Sequence, residues 1–214
     1  MKYDEYRGVR GLVVAKVTKD DDADGGYVAE TWQELSGVQS IATSKNESSE
    51  SHFYDNAARI VIDAEGADEV TLVVSALANK TRALIEGVEY DETTDMLIET
   101  PRKKSYFALG YIGEKTDGTE EFVICYKGKF TGGSITRNTK DDGTEATNVE
   151  YTYTAIHTSS KIRTSADTTK KSAKSVSAPF KDSKITEATI FGTFTAGVST
   201  LKPLTPDEIK TLSA

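Results

Sequence analysis

The sequence predicts a mainly β fold, a sandwich or barrel flanked by one helix. Runs in which apolar and polar residues alternate with a period of two recur along the chain, and turn-forming Gly, Asp and Asn residues separate them. Seven or eight such runs can be recognised, which is the number of strands typical of a sandwich or barrel. The length of 214 residues is sufficient for one sizeable β domain with its own core.

Four strands are predicted in the first third of the chain. In "GVRGLVVAKV", residues 8–17, the odd positions are mostly apolar, so one face of this strand is expected to be buried. The others are "YVAETWQ", residues 27–33, "ARIVID", residues 58–63, and "EVTLVV", residues 69–74. Trp32, the single tryptophan, lies on the second of these strands and is expected in the core.

One internal helix is predicted at residues 76–86, "ALANKTRALIE". Ser75 is a suitable N-cap, and Gly87 can end the helix in the left-handed conformation. A helix of this length is only marginally stable in water by itself. Its apolar stripe is therefore expected to lie on the sheet.

A β-hairpin is predicted in the second half of the chain. Its strands are "SYFALGYI", residues 105–112, and "TEEFVICYKGKF", residues 119–130, and Asp117-Gly118 provides the turn between them. Cys125 lies in the second of these strands, where burial is the simplest expectation; as the only cysteine it excludes an intramolecular disulfide. A further strand is predicted at residues 147–158, "TNVEYTYTAIHT".

The chain is predicted to divide into three parts. Residues 1–158 form the β domain with a net charge of −12, and residues 159–184 form a basic Ser/Lys/Thr-rich linker or arm with a net charge of +5. Residues 185–214 are predicted to contain a strand, "ATIFGTFTAG", and a short helix that starts at Thr205. This last part is expected to dock on its own or a neighbouring subunit.

Composition argues against several classes of function. The net charge of −8 is unfavourable for a general binder of nucleic acid, because affinity for phosphates rests on clustered Lys and Arg. The N-terminus has no apolar core followed by a small-residue cleavage site, so we expect no signal peptide. No segment approaches the length of a membrane span, so we expect no membrane partner.

The residues that could act as nucleophiles or as acids and bases are not arranged in a catalytic pattern. The stretch "SSESHFYDN" contains Ser, His and Asp. The chain has no G-x-S-x-G motif, the sharp turn that would expose a serine nucleophile. His52 and His157 are the only histidines. His52 lies in a predicted loop without apolar surroundings, and His157 ends a strand in a polar run. We therefore expect no enzyme activity, no catalytic residue and no cofactor.

The acidic stretch "DDDADGG" is similar to the start of a calcium-binding loop. Asp20, Asp22, Asp24 and Gly25 match the first, third, fifth and sixth loop positions. The twelfth position, which requires a bidentate Glu, is Thr31. An acidic turn between two strands is the favoured interpretation, so no metal site is assigned, and weak cation binding stays open.

The order of three stretches resembles that of a known family. They are the start "GVRGL", the segment "ELSGVQSIATSKNESSESHFYDNAARIVIDAEGADEVTLVVSALANKTRALIEG" and the segment "FALGYIGEKTDGTEEFVICYKGKF". From about Gly8 to Thr158 the chain resembles the major tail proteins, or tail tube proteins, of bacteriophages with long non-contractile tails.

The resemblance implies a fold, an assembly and a location. The fold is two packed antiparallel sheets with a flanking helix, and six subunits close into rings that stack into a tail tube. The inner sheets join into one β-barrel whose lumen conducts DNA without binding it specifically. Implied partners are copies of the chain itself and the tape measure, tail terminator and tail-tip proteins. The location is the virion, after synthesis in the host cytoplasm.

The resemblance also suggests a role for the stretch around His52. It is too polar for a core strand, so we predict an exposed loop that reaches between subunits or stacked rings, with aromatic anchors. The assembly residues predicted here are Glu47, Glu50, His52, Phe53, Tyr54, Asp55 and Asn56. The alternative is an aromatic pair folded back over its own sheet.

Two other functions stay open at this stage. One is a carbohydrate- or protein-binding β-sandwich module of a phage tail tip or surface structure, which would need aromatic residues with Asp and Asn on a concave face. The other is a small hydrolase, which the scarcity of histidine makes the weakest hypothesis.

Overall fold

The computed structural model describes residues 4–22, 26–35, 37–137, 139, 148–163, 170–181 and 184–212. The strands along these residues are β1 (Tyr6–Asp20), β2 (Tyr27–Ala29), β3 (Gln33–Glu34), β4 (Val38–Ser44), β5 (Glu47–Tyr54), β6 (Ala57–Glu65), β7 (Asp68–Val74), β8 (Glu89–Asp91), β9 (Met96–Ile98), β10 (Tyr106–Lys115), β11 (Glu120–Ile135), β12 (Val149–Ala155), β13 (Ile162–Arg163), β14 (Lys170–Lys171), β15 (Ser175–Pro179), β16 (Phe194–Thr195) and β17 (Val198–Ser199). The helices are α1 (Asn79–Glu86), α2 (Glu187–Ile190) and α3 (Pro206–Leu212).

Most strands belong to one large antiparallel sheet. Its order is β16-β17-β3-β1-β10-β11-β12-β7-β4, while β2 also pairs with β1 and β15 also pairs with β11. The sheet curls so that β4 lies against β1, although the two strands are not paired. The prediction of a mainly β, sandwich-like fold with a flanking helix is confirmed.

The first core fills the inside of this curl. Helix α1 covers it, and Gly87 ends the helix with φ 71°, as predicted. Phe130 lies at its centre and contacts three aromatic rings in edge or tilted arrangements. Besides Phe130, the largest fully buried side chains of this core are Phe107, Leu109, Leu72, Ile85, Tyr151 and Tyr153.

A second core covers the opposite face of the central strands. Trp32, Ile112, Phe122 and Tyr126 are buried there against residues of the C-terminal part of the chain. The C-terminal residues in this core are Ile162, Ala173, Ile185, Ile190, Phe191 and Ile209. Because both faces of β1 are covered, residues 12–15 are all buried, and the predicted single apolar face of this strand is wrong.

The C-terminal part differs from its predicted secondary structure. Thr186 caps α2 through its side chain, which accepts the N–H of Thr189, and the helix occupies the start of the predicted strand "ATIFGTFTAG". Only β16 of that stretch is extended, so the strand prediction is wrong. Local hydrogen bonds of the two threonines favour helix initiation over an apolar strand pattern. The predicted terminal helix is present as α3.

Two element boundaries in the first half also differ. Helix α1 begins at Asn79 after Ala78, so Ser75 is not its N-cap. The predicted strand at residues 27–33 is broken into β2 and β3, since Trp32 turns into the second core between them. The predicted hairpin turn at Asp117-Gly118 is confirmed, with φ 82° at Gly118.

The predicted basic arm, residues 159–184, is described at residues 159–163, 170–181 and 184. Within these ranges β15 pairs with β11, and Ala173 and Lys174 are buried. The rest of the arm lies outside the described residues. No helix in the described ranges is both long and apolar enough to cross a membrane.

The first residue of the acidic stretch has a structural partner. The Asp20 carboxylate accepts the N–H groups of Ser159 and Ser160, each at 2.8 Å, and pairs with Lys127. This network ties the end of β1 to the chain that follows β12. Asp24 and Gly25 of the calcium-like pattern lie outside the described residues.

Candidate assembly surface

Strands β5 and β6 form a two-stranded sheet of their own, apart from the large sheet. Asp55 and Asn56 connect them with φ values of 51° and 61°, the left-handed pair that a type I′ hairpin turn requires. The predicted loop is therefore wrong, because residues 47–54 form a strand. Its polar side chains are compatible with a strand since neither face is buried in a core.

The hairpin exposes large apolar side chains on both faces. Phe53, Tyr54, Ile60, Val61 and Ile62 each keep between 48% and 69% of their surface accessible. Ile60 and Ile62 lie on one face, whereas Val61 lies on the other, because neighbouring residues of a strand alternate. The aromatic pair is not folded back over its own sheet.

The predicted assembly residues all lie on this hairpin, with Asp55 and Asn56 at its turn and the others on β5. Residues 60–62 on β6 were not identified from the sequence as part of an exposed surface. The sequence carries them as the run "IVI" inside "ARIVID". An apolar run of this kind usually indicates a buried strand, so only the fold reveals that it is exposed.

The hairpin is also strongly acidic. Residues 47–65 contain five acidic residues and one arginine, a net charge of −4 with His52 neutral. Glu50 is the cross-strand partner of Ile62, and Asp63 is the partner of Ser49. Carboxylates therefore lie directly beside the exposed apolar side chains.

An ion-pair cluster holds the base of the hairpin. Lys174, buried except for 7% of its side chain, pairs with Glu65 and with Asp68 at 3.0 Å. The Lys174 ammonium also donates to the carbonyl of Gly66 at 3.0 Å. His157 lies 3.3 Å from the same Glu65 oxygen. Hydrogen bonds from Lys174 and then from His157 lower the pKa of Glu65.

Replacing Lys174 by methionine is expected to raise the pKa of Glu65 towards its ordinary value of 4.5. Because the folded-state pKa is lowered, this carboxylate stabilises the fold above pH 4.5, and the contribution is lost as the pH falls through the folded-state pKa. The stability difference between the wild type and Lys174→Met should therefore shrink in acid. NMR titration of the carboxyl and urea unfolding at several pH values measure both effects.

His157→Gln is the matched control for this prediction. It removes the second of the two groups that lower the pKa of Glu65, so its effect should be in the same direction and smaller. A larger rise in His157→Gln than in Lys174→Met would contradict the assignment of Lys174 as the main partner.

The single cysteine and the two histidines are the side chains of this chain best suited to nucleophilic or acid–base chemistry. Burial, with a smaller contribution from Asp68, raises the pKa of the Cys125 thiol to about 12, so the nucleophilic thiolate is not populated near neutral pH. His52 lies half-buried on the hairpin, and His157 contacts Glu65. Within the described ranges no group of three or more His, Cys, Asp or Glu side chains is arranged to hold a metal ion.

A second open surface is the edge of β4. This strand ends the large sheet and pairs only with β7 within the described part of the chain. Most of its residues are exposed. Unpaired edge strands provide N–H and C=O groups to which another chain can add a strand.

The concave surface next to α1 has few features of a sugar-binding site. The groove between α1 and the β16–β17 hairpin has one aromatic residue, Tyr90, and neither Asp nor Asn among the described residues that line it. Its polar lining residues are Gln33, Glu34, Lys80 and Thr81. Trp32 is fully buried and is not accessible for stacking on a ligand.

A scan of the chain against models of known protein families found no match, and a search of curated proteins found no relative.

Proposed function

We propose that this chain is a structural, non-catalytic protein that assembles with copies of itself, and that its β5–β6 hairpin forms the contact between copies. The observation that carries the proposal is the exposure of Phe53, Tyr54 and the residues at 60–62 on a hairpin outside the main sheet. Isolated two-stranded hairpins are only marginally stable in water. Burial against another copy would remove this apolar surface from water and stabilise the hairpin.

The arrangement of the apolar residues favours assemblies larger than a dimer. A two-fold contact between identical hairpin faces would cover one face of each hairpin and leave the other exposed. Since both faces carry large apolar residues, each hairpin is expected to lie between two other surfaces. The open edge of β4 provides a further place where neighbouring copies can join.

The resemblance to tail tube proteins gives this assembly its specific form. We propose stacked rings, expected to be hexameric, that build the tube of a phage tail and conduct DNA during ejection. The tape measure, tail terminator and tail-tip proteins are the other expected partners, and the virion is the expected location. The acidic composition suits a conduit, because carboxylates facing the lumen would repel DNA phosphates.

Negative-stain electron microscopy at rising protein concentration, together with light scattering, tests the proposal. Hollow tubes or stacked rings are the expected result. A single small species at every concentration, combined with a positive result on a glycan array, would instead support a binding module.

A further inference from the structure

A basic patch lies on the β domain, residues 1–158, whose net charge is −12. It consists of Arg102, Lys103 and Lys104, which precede β10, and of Lys129 on β11, next to Tyr106. The Lys129 ammonium lies 4.4 Å from the centre of the Tyr106 ring, within cation–π distance. The Lys104 ammonium donates to the carbonyl of Phe130 at 2.8 Å, so this segment lies beside Lys129, the residue before Phe130. Burial, followed by the charge of Arg102, lowers the pKa of Lys104.

The charge of the patch is only partly neutralised. Arg102 lies 3.9 Å from Glu86 and from Glu99. Among the described residues, no carboxylate lies within ion-pair distance of Lys103 or Lys129. At least two lysines of the patch therefore have the capacity to pair with acidic groups from outside the chain.

Exposed apolar residues accompany this charge. Met96 and Ile98 on β9 are 51% and 43% exposed, and the next residue, Glu99, reaches Arg102. Tyr106 is also partly exposed. The patch thus combines positive charge with apolar and aromatic surface, which complements the acidic and apolar hairpin.

We propose that the basic patch of one copy receives the β5–β6 hairpin of a second copy. This inference rests on the proposed assembly and names its receiving surface. The carboxylate of Glu50, which lies on the same hairpin face as Ile60 and Ile62, pairs with the ammonium groups of Lys103 and Lys129. The two isoleucines pack on Met96, Ile98 and the Tyr106 ring. Because the two contact surfaces differ, the contact repeats from copy to copy and forms rings or filaments.

Other occupants and other sites fit less well. A nucleic acid would be repelled by the net charge of −8, whereas the hairpin carries its charge beside apolar side chains that the patch matches. Lys161 and Lys171 are also exposed, but none of the exposed large apolar side chains belongs to the described residues of 159–184.

Charge reversal in two separate proteins tests the proposal. The variant Glu50→Lys and the variant Lys103→Glu/Lys129→Glu should each require at least about tenfold more protein to assemble, because like charges then meet. Mixed in equal amounts, they should assemble near the wild-type concentration, since each reversed surface meets its complement. Rescue by mixing requires both variants to be folded.

The control mixture replaces the patch variant by Lys161→Glu/Lys171→Glu. If the control variant restores assembly, or if the patch variant does not, the proposed docking site is wrong. Self-assembly itself is not contradicted by either result. If the wild type itself never assembles, the proposed function fails first. A gel-retardation assay with DNA gives a further check. If the wild type retards DNA and Lys103→Glu/Lys129→Glu does not, the patch binds a polyanion, and the inference is overturned.

A disulfide trap provides a second measurement on the same contact. Cys125 is buried, so cysteines introduced on the surface are the reactive ones. Glu50→Cys mixed with Lys103→Cys should form a disulfide between the two chains under mild oxidation. Glu50→Cys mixed with Lys161→Cys should not, and the reverse result would contradict the proposal.

Discussion

Replacing Phe53 and Tyr54 together by alanine is expected to leave the monomer folded and to abolish assembly at concentrations where the wild type assembles. Both side chains are more than half exposed in the monomer, so their removal costs the fold little. In an interface, buried aromatic anchors typically contribute about 2 kcal/mol or more each. Losing both, about 4 kcal/mol together, should raise the assembly concentration on the order of several hundredfold, since each 1.4 kcal/mol is about tenfold.

Light scattering and electron microscopy measure this effect, and circular dichroism with urea unfolding verifies the fold. Tyr6→Ala is a matched control, because Tyr6 is 68% exposed, as much as Phe53, and lies on β1 instead of the hairpin. Assembly of Tyr6→Ala should be close to that of the wild type. Normal tubes from the double alanine variant would refute the role of the hairpin tip.

Replacing Phe191 by alanine is expected to produce the largest loss of stability among the substitutions considered. Phe191 is 1% exposed, its ring lies 5.7 Å from that of Trp32, and it packs on Gly110 of β10. Truncating a buried phenylalanine typically costs about 3–5 kcal/mol, because apolar contacts are lost and a cavity is left. The free energy of unfolding from urea titration should fall by this amount.

This substitution tests whether the C-terminal part belongs to one cooperative fold. Val198→Ala serves as the control, because Val198 is 46% exposed in the same part of the chain, and its effect should stay within about 0.5 kcal/mol. A change below about 1 kcal/mol in Phe191→Ala would mean that the second core does not contribute to the stability of the isolated subunit.

Gly110 explains why the second core packs so closely on the sheet. A Cβ atom at this position would lie 2.6 Å from Phe191 and 2.9 Å from Val13. Such distances are shorter than van der Waals contact, so only glycine allows the Phe191 and Trp32 rings to approach the strand. The sequence shows this glycine inside an apolar strand, but the reason for it is visible only when the C-terminal part is in place.

Local patterns predicted most of the strands. The period-two runs at residues 69–74 and 105–130 correspond to β7, β10 and β11, and turn chemistry placed the hairpin at Asp117-Gly118. The left-handed end of α1 at Gly87 followed from the same kind of signal. These features depend on neighbouring residues, so a sequence contains them directly.

The candidate assembly site could be predicted in part. Phe53 and Tyr54 were identified because large aromatics stand out in a small polar stretch. The hairpin itself was missed, because Asp55-Asn56 is a turn signal but the strand before it lacks apolar alternation. The basic patch was also missed, since Arg102 to Lys104 and Lys129 are brought together only by the pairing of β10 with β11.

The sequence by itself determined the mainly β class, the turns and the residues with strong local signals. The tertiary structure decided that both faces of β1 are buried, that α2 replaces a predicted strand, and that the hairpin protrudes from the sheet. The physical reason is that hydrophobic burial depends on which distant segment covers a surface. An apolar run such as residues 60–62 has the same sequence pattern whether a core covers it or water does.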